Sequence, residues 1–331
     1  MSMNLNLNLY DHDLNRIATI GNRFVSCLWS EGYNTTQDFC LELVETEEYK
    51  WKVRTDCYVG RTDRRTLMVI KSVEVHDGHI IATGKEAKRV LDDVSFIRTI
   101  PSGSPVDTAI KNAYNDSNQY HKLVFADSNL GVAYNHQISN KSFLELCETM
   151  GQATDIGFRS VHSNGQISVE FYQPSINPNL IFSRDFGNIS NVEVSISVEK
   201  YKNCAIVLGE GEGDERKKAF VDRTDGAERR DLIVDAKDIQ HKEGETEAEY
   251  KERLIALGIE KLLERTKTLK TAFLPYSGDF GKRYDLGDVL TVRLPDYGMT
   301  LQARVSRFTQ KAQSNKVETT IEVGKITVNR R

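Results

Sequence analysis

The chain has 331 residues, of which 39% are apolar and 28% charged. That length exceeds one small core and that balance excludes a disordered chain, so two or three folded domains are expected. A net charge of −4 leaves no basic footprint for wrapping nucleic acid, and no apolar run approaches the roughly 18–20 residues of a membrane-spanning helix.

In chain order, the opening MSMNLNLNLYDHD has neither a basic n-region nor an apolar h-region. It reads as an edge strand rather than a signal peptide. Residues 1–100 are mostly β in pattern. Residues 16–20 and 23–29 flank Gly21-Asn22, which predicts a two-residue hairpin. Phe39, Leu41 and Leu43 alternate along residues 38–44. Asp77-Gly78 between two apolar runs is a stronger hairpin signal, because both central positions need positive φ. A short helix is expected at 85–91.

Residues 101–174 change character. Ser104-Pro105-Val106-Asp107 predicts a helix with Ser104 as cap, and Val106, Ala109, Ile110 and Ala113 share one face. Ser142 to Glu145 is a capping box, followed by a stripe of Phe143, Leu146, Cys147 and Met150. Strands at 157–161 and 166–172 follow, joined by Ser163-Asn164-Gly165.

Residues 175–238 return to β. Val192, Val194, Ile196 and Val198 alternate with polar residues, as a half-buried strand does. A charged amphipathic helix is expected over 245–268, with Thr246 and Glu249 as capping box and Tyr250, Leu254, Leu257 and Leu262 as stripe. A terminal meander follows: 289–294, a turn at Asp296-Tyr297-Gly298, 300–308, a Ser314-Asn315 turn, and 317–323. Residues 328–331 read as a frayed end.

Cys27, Cys40, Cys57, Cys147 and Cys204 are odd in number, form no CxxC and sit among apolar residues. They read as buried free thiols of a chain folding in a reducing cytoplasm.

The stretch 181–237 carries most of the information. A strand at 204–208 leads into Gly209-Glu210-Gly211-Glu212-Gly213. A dinucleotide fingerprint needs G-x-G-x-x-G opening a helix; here the spacing is G-x-G-x-G and the intervening glutamates repel phosphate. Glu210, Glu212, Asp214 and Glu215 offer oxygen ligands at short spacing but lack a calcium-loop geometry. A solvated, bulged hairpin loop is the reading. Gly84-Lys85 is followed by Glu86, where a P-loop needs Ser or Thr. His76 and His79 bracket a turn without a third ligand. His12, His121, His136, His162 and His241 are isolated. Arg61, Arg64, Arg65, Lys85, Lys88 and Arg89 are a modest basic concentration, read as a solvated face or interface rim. Asp92-Asp93 is a carboxylate pair of the kind any charge-rich chain holds. No catalytic, cofactor or metal site is assigned.

Five ordered sets of residues carry a resemblance. They are Tyr10-Asp11 with Gly84 to Leu91; Ser142 to Glu145 with Gly157-Phe158-Arg159 and Val169 to Pro174; Ile181-Phe182-Ser183 with Gly187-Asn188 and Tyr201-Lys202-Asn203; Gly209 to Gly213 with Arg216, Arg229-Arg230 and Val234 to Lys237; and Tyr284 to Val289. In this order the chain resembles the hub, or tail-associated, proteins of bacteriophage and prophage tails, of the siphovirus type found with Gram-positive hosts.

The resemblance implies a β-rich α+β, multidomain baseplate-hub fold. Its parts would be a β-barrel-like domain at 1–103, an α+β domain at 104–176, and a second barrel-like domain at 177–331 with a helical insertion at about 239–268. It implies a virion structural protein, not an enzyme and without cofactor, at the tail tip. There it would be a homotrimer on the distal tail protein ring, near the tape-measure protein and receptor-binding proteins. DNA would pass through only transiently, without stable membrane insertion. Gly209, Glu210, Gly211, Glu212, Gly213, Arg216 and Asp235 would be a structural family loop. Many relatives continue into a wall-degrading or receptor-binding extension; stopping after the meander argues against wall cleavage in cis. Alternatives are the hub or spike of a contractile tail or injection system, a wall hydrolase, and an adhesin. The missing catalytic motif disfavours the hydrolase. For the adhesin, the two tryptophans, Trp29 and Trp51, fall in expected strands.

Overall fold

The computed structural model describes residues 5–117, 123–265, 268–275, 279–313 and 316–327. His121, the Ser314-Asn315 turn and the end at 328–331 lie outside the described residues, as do the first four residues. The architecture is β-rich, with four α-helices among the described residues: α1 Glu47–Lys52, α2 Val106–Asn115, α3 Phe143–Thr154 and α4 Glu247–Leu263. Contacts divide the chain into a larger unit, Met1–Val192 with Ala272–Arg331, and a smaller unit, Glu193–Thr271.

The larger unit is organised by one sheet. From one edge its order is Arg16–Gly21, Leu7–Tyr10, Tyr58–Arg61, Leu67–His76, His79–Glu86, Asp38–Val44, Ser26–Gly32, Met299–Gln313, Lys316–Thr327. The 15-residue strand Met299–Gln313 links the two ends of the chain. Its first half pairs with Val289–Leu294 and its second half with Ser26–Gly32. Among the described residues this path is open and closes no barrel.

Local chemistry explains most of these elements. Phe39, Leu41 and Leu43 are fully buried by the expected alternation. Asp77 and Gly78 have φ of 50° and 76°, and turn Leu67–His76 into His79–Glu86. Gly84 is required by close approach: a Cβ there would stand 1.9 Å from the Val69 carbonyl oxygen. The partner strand shifts register between Ile70 and Ser72, so the glycine sits at a bulge, not in a phosphate loop.

Four expectations need correction. Residues 16–20 and 23–29 do not form a hairpin: Arg16–Gly21 pairs with Leu7–Tyr10, while Ser26–Gly32 pairs with Asp38–Val44. The Gly21 turn favours a chain reversal, but the burial of Cys27 and Trp29 takes the next strand elsewhere. Trp51 lies on α1, capped by Thr46, and not on a strand. The helix expected at 85–91 is a 3-10 turn, Ala87–Asp93, because the strand runs through Glu86. Ser104 does not cap α2: Pro105 holds that position, Ser104 bridges to Tyr134, and buried Asp107 accepts from the Leu130 N–H at 2.7 Å.

Within the α+β portion, α3 behaves as its sequence predicts. Ser142 and Glu145 form the capping box of α3, whose Phe143, Leu146, Cys147 and Met150 are fully buried. They pack with Val106 and Ile110 of α2 and with Phe158, Val169 and Phe171 of the sheet Leu123–Phe125, Gln166–Tyr172, Gly157–Ser163. Four cysteines are buried and Cys40 is half-buried. Burial pushes the Cys27 thiol up to about 12, which leaves it inert.

In the smaller unit, Cys204–Leu208 is the central strand of three. It pairs antiparallel with Lys218–Asp222 and parallel with Asp231–Asp235. Ala205, Val207, Ala219, Val221 and Val234 form its inner face, packed on Tyr250 and Leu254 of α4. Thr246 and Glu249 make the expected capping box.

Candidate functional site

Two charge-rich regions stand out, one in each unit. The first is a cleft of about 280 Å³ in the larger unit. Its floor is Glu31, 2% exposed, on Ser26–Gly32. The Glu31 carboxylate accepts from Trp29 Nε1 at 2.8 Å, Arg64 Nε at 2.9 Å, Arg64 Nη2 at 2.6 Å and Thr66 Oγ1 at 3.1 Å. Burial alone would raise this carboxyl. The paired Arg64 guanidinium overrides burial and brings it down to about 2. Arg64 also lies over the stacked rings of Phe280 and Phe308, at 4.8 and 5.2 Å.

A second buried pair stands beside the first. Lys88 Nζ donates to the Gly32 carbonyl at 2.7 Å and stands 3.1 Å from Glu86 Oε2. Glu86 Oε1 accepts the N–H groups of Gly32 and Gln37. Burial lifts the Glu86 carboxyl to about 7, against the pull of the Lys88 ammonium. Arg61, 6% exposed, grips Asp63 with two nitrogens and donates to Gln310 Oε1 at 2.6 Å. The reading of Arg61, Arg64 and Lys88 as a solvated rim is therefore corrected: all three are drawn inside by carboxylates. The only local signal was an acid beside buried apolar residues, Glu31 after Trp29 and Glu86 before Ala87.

The mouth of the cleft is looser. Arg159 lies 3.4 Å from Glu170, 3.5 Å from Asp285, and over the Tyr172 ring. Ser160 Oγ lines the wall, buried and without a hydrogen-bond partner, so no base draws off its proton. Cations and carboxylates balance around the cavity. This arrangement fastens chain segments from 31, 64, 88, 159 and 285 to one another; it assembles no nucleophile–base pair.

The second region is the glycine-acid loop in the smaller unit. The chain turns through Gly211, at φ 100°, and a 3-10 turn Gly213–Glu215 into Lys218–Asp222. Arg216 ties it down: Nε donates to Gly209 O at 2.9 Å, and Nη2 to Leu208 O at 2.5 Å and Asp235 Oδ1 at 2.6 Å. That bond holds the Asp235 carboxyl below the usual range. A Cβ on Gly209 would stand 2.4 Å from the Tyr250 hydroxyl, which accepts the Glu210 N–H and donates to Ile239 O. Glu210 Oε2 accepts the His241 N–H at 2.9 Å. The structure thus gathers Gly209, Glu210, Arg216 and Asp235, and leaves Gly211, Glu212, Gly213, Asp214 and Glu215 exposed. Among the described residues no group of His, Cys, Asp or Glu is placed to hold a metal ion. His79 bonds to Glu42 Oε1 at 2.8 Å, while His76, opposite it in the hairpin, lies 2.9 Å from Asp77 Oδ2.

The sequence profile of the family described as Siphovirus ReqiPepy6 Gp37-like protein matches residues 6–325, and the chain belongs to that family. This agrees with the siphovirus tail resemblance carried by the ordered motifs. No curated protein matches the chain. It is similar to prophage tail protein gp18 of Listeria monocytogenes EGD-e at 10% identity, with 98% of this chain and 95% of that chain covered and a TM-score of 0.60. It is similar to the 43 kDa tail protein of prophage MuSo2 from Shewanella oneidensis at 12% identity, covering 96% and 98%, with a TM-score of 0.61. A chain of the half-lidded Francisella PdpA–VgrG complex matches at 8% identity and TM-score 0.55; all but 1% of this chain is covered, but only 59% of that one. Identities this low establish a shared fold: the chain has the β-rich fold of phage tail proteins.

Proposed function

We propose that this chain is a homotrimeric hub at the tip of a phage or prophage tail, docked on the distal tail protein ring and closing or gating the channel for DNA ejection. The observation that supports this most is the extent of the fold match: a prophage tail protein is covered almost end to end by this chain. In this reading 1–103 and 177–331 act as the two barrel-like hub domains and 104–176 as the α+β arm. They are assembled in the host cytoplasm beside the tape-measure and receptor-binding proteins. The family loop from Gly209 to Arg216 is structural, and its exposed acids face the channel, where like charge keeps DNA from sticking. Neutralising Glu210, Glu212, Asp214 and Glu215 slows genome ejection on this account; unchanged ejection kinetics sink that part of it.

Light scattering on a sizing column, alone and with the candidate distal tail protein, tests the main reading. A trimer, or a monomer that trimerises on the ring, supports it. A stable monomer indifferent to the ring overturns it. The match to the PdpA–VgrG complex favours one second reading, the hub of a contractile injection system. A sheath protein co-purifying with the assembled tail would favour that alternative.

A further inference from the structure

The smaller unit has a sheet face that its own helix does not cover. α4 packs on the inner face, close enough that a Cβ on Gly258 would stand 2.8 Å from the side chains of Val207 and Val221. A sheet with one dry face should alternate, apolar inward and polar outward. This one does not. Cys204-Ala205-Ile206-Val207-Leu208 is apolar without a break. Ile206 stands opposite Phe220 on one neighbour and Ile233 on the other. An apolar row therefore crosses all three strands on the outer side, with Phe220 61% and Ile233 68% exposed. Continuous apolar strands belong to sheets buried on both faces, and a contiguous exposed apolar row marks an interaction site.

Charge along the edge strand indicates what covers the row. Lys218 lies at one end and Asp222 at the other, both exposed, while the acids at the same two ends of the far strand, Asp235 and Asp231, are already paired with Arg216 and Arg229. Four residues of strand separate them by about 13 Å, which about nine residues of helix span. We infer that this face binds an amphipathic α-helix of another tail protein, with an acid near Lys218 and a base about nine positions along near Asp222. Its apolar stripe seats on Phe220, Ile206 and Ile233. The site would then be a helix-on-sheet interface with α4 as the opposite layer. The identity of the partner as a tail protein rests on the tail reading above.

The test places the photo-crosslinker p-benzoylphenylalanine at position 220 of the full chain, expressed with its tail gene cluster, and analyses purified particles. The expected product joins position 220 to a helical, amphipathic segment of a different tail protein. Ile233→Lys or Ile233→Ser should lower its yield at least tenfold without moving the melting temperature, since Ile233 is exposed. A crosslinker at Lys251 should give no such product. Particles that contain the chain but give no product, or a product with a second copy or with the larger unit of the same chain, overturn this inference and leave the tail reading standing. Particles that lack the chain overturn both.

Discussion

The ion network around Glu31 and the loop around Glu210 draw on the same residue types, yet the central carboxylate is buried in the first and most of the acids are exposed in the second. At Glu31 four donors converge on one buried carboxylate, and its partner Arg64 is itself only 15% exposed. At the loop Arg216 grips two backbone carbonyls and Asp235, Tyr250 takes the Glu210 N–H, and Glu212, Asp214 and Glu215 stay exposed. The difference teaches where charge is structural in this chain. Removing a charge in the first region should cost the fold. Removing one in the second should cost little except where Arg216 is concerned.

The largest effect is expected from Glu31→Gln. The amide can still accept, but Arg64 keeps a full charge with its counter-ion gone, at a side chain only 15% exposed. Breaking a buried pair by removing one partner costs about 3–5 kcal/mol. Urea unfolding should show that loss, and a midpoint close to wild type would mean that water already enters the cleft. Arg64→Met with Glu31→Met should recover much of it, because an apolar pair leaves no stranded charge.

pH separates the two buried carboxyls, because they move in opposite directions. Glu86 rises to about 7, so the folded state binds its proton more tightly than the unfolded chain does. Its contribution is complete below the unfolded pKa near 4.5 and is lost as pH rises through 7. Glu31 falls to about 2, so its contribution is complete above 4.5 and is lost as pH falls towards 2. Each shift corresponds to about 3 kcal/mol. From these two groups, stability should peak between pH 4 and 5 and decline on both sides. Glu86→Gln should flatten the limb between pH 5 and 8, because the amide does not ionise. Denaturation midpoints across that range decide it; an unaltered limb would show that Glu86 is ionised throughout.

These buried pairs also mark where the sequence stopped being legible. Elements held by short-range chemistry could be read: the capping boxes at Ser142 and Thr246, the Asp77-Gly78 turn, the stripe from Phe143 to Met150. Their causes lie within four residues of their effects. The ion network depends on separations of 33 residues between Glu31 and Arg64, and 249 between Arg61 and Gln310. No local pattern distinguishes those arginines from a solvated cluster. Strand partnership failed for the same reason. Gly21 sits at φ 63° as a turn residue does, but Ser26–Gly32 pairs with Asp38–Val44 and with Met299–Gln313, nearly three hundred positions away, and not with Arg16–Gly21. The glycine-acid loop was legible as a turn because Gly211 and Gly213, both at positive φ, answer to local geometry. Its anchor at Tyr250 was not, since that contact comes from the following helix.

In the loop itself, Arg216→Met should cost about 1–2 kcal/mol, the worth of charge-assisted hydrogen bonds at a partly exposed site. Leu208 O keeps the Ala236 N–H as a donor, which limits the loss. Gly209→Ala tests the same region from the other side. Its Cβ meets the Tyr250 hydroxyl and the Leu254 methyl, at 2.4 and 2.9 Å, so the helix must shift or the loop must lift. Overpacking of this kind costs about 1–3 kcal/mol. Both variants should lower the unfolding transition of the smaller unit, followed by amide exchange at Ala205 and Val207, and leave exchange at Trp29 and Phe39 unaltered.

The smallest effect belongs to Glu212→Gln, Asp214→Asn and Glu215→Gln combined. These side chains are exposed, and the bond from the Glu215 N–H to the Glu212 carbonyl that closes the turn is made by the backbone. Surface substitutions away from caps and buried pairs leave stability almost unchanged, so the unfolding midpoint should not move. A marked loss would place these acids among the structural charges and erase the contrast with the cleft. An unmoved midpoint together with slowed genome ejection would separate folding from function at this loop. The carboxylates would then act through their field on what passes beside them, and adding salt should diminish the difference between variant and wild type, because exposed charges are screened within about 10 Å at 0.1 M.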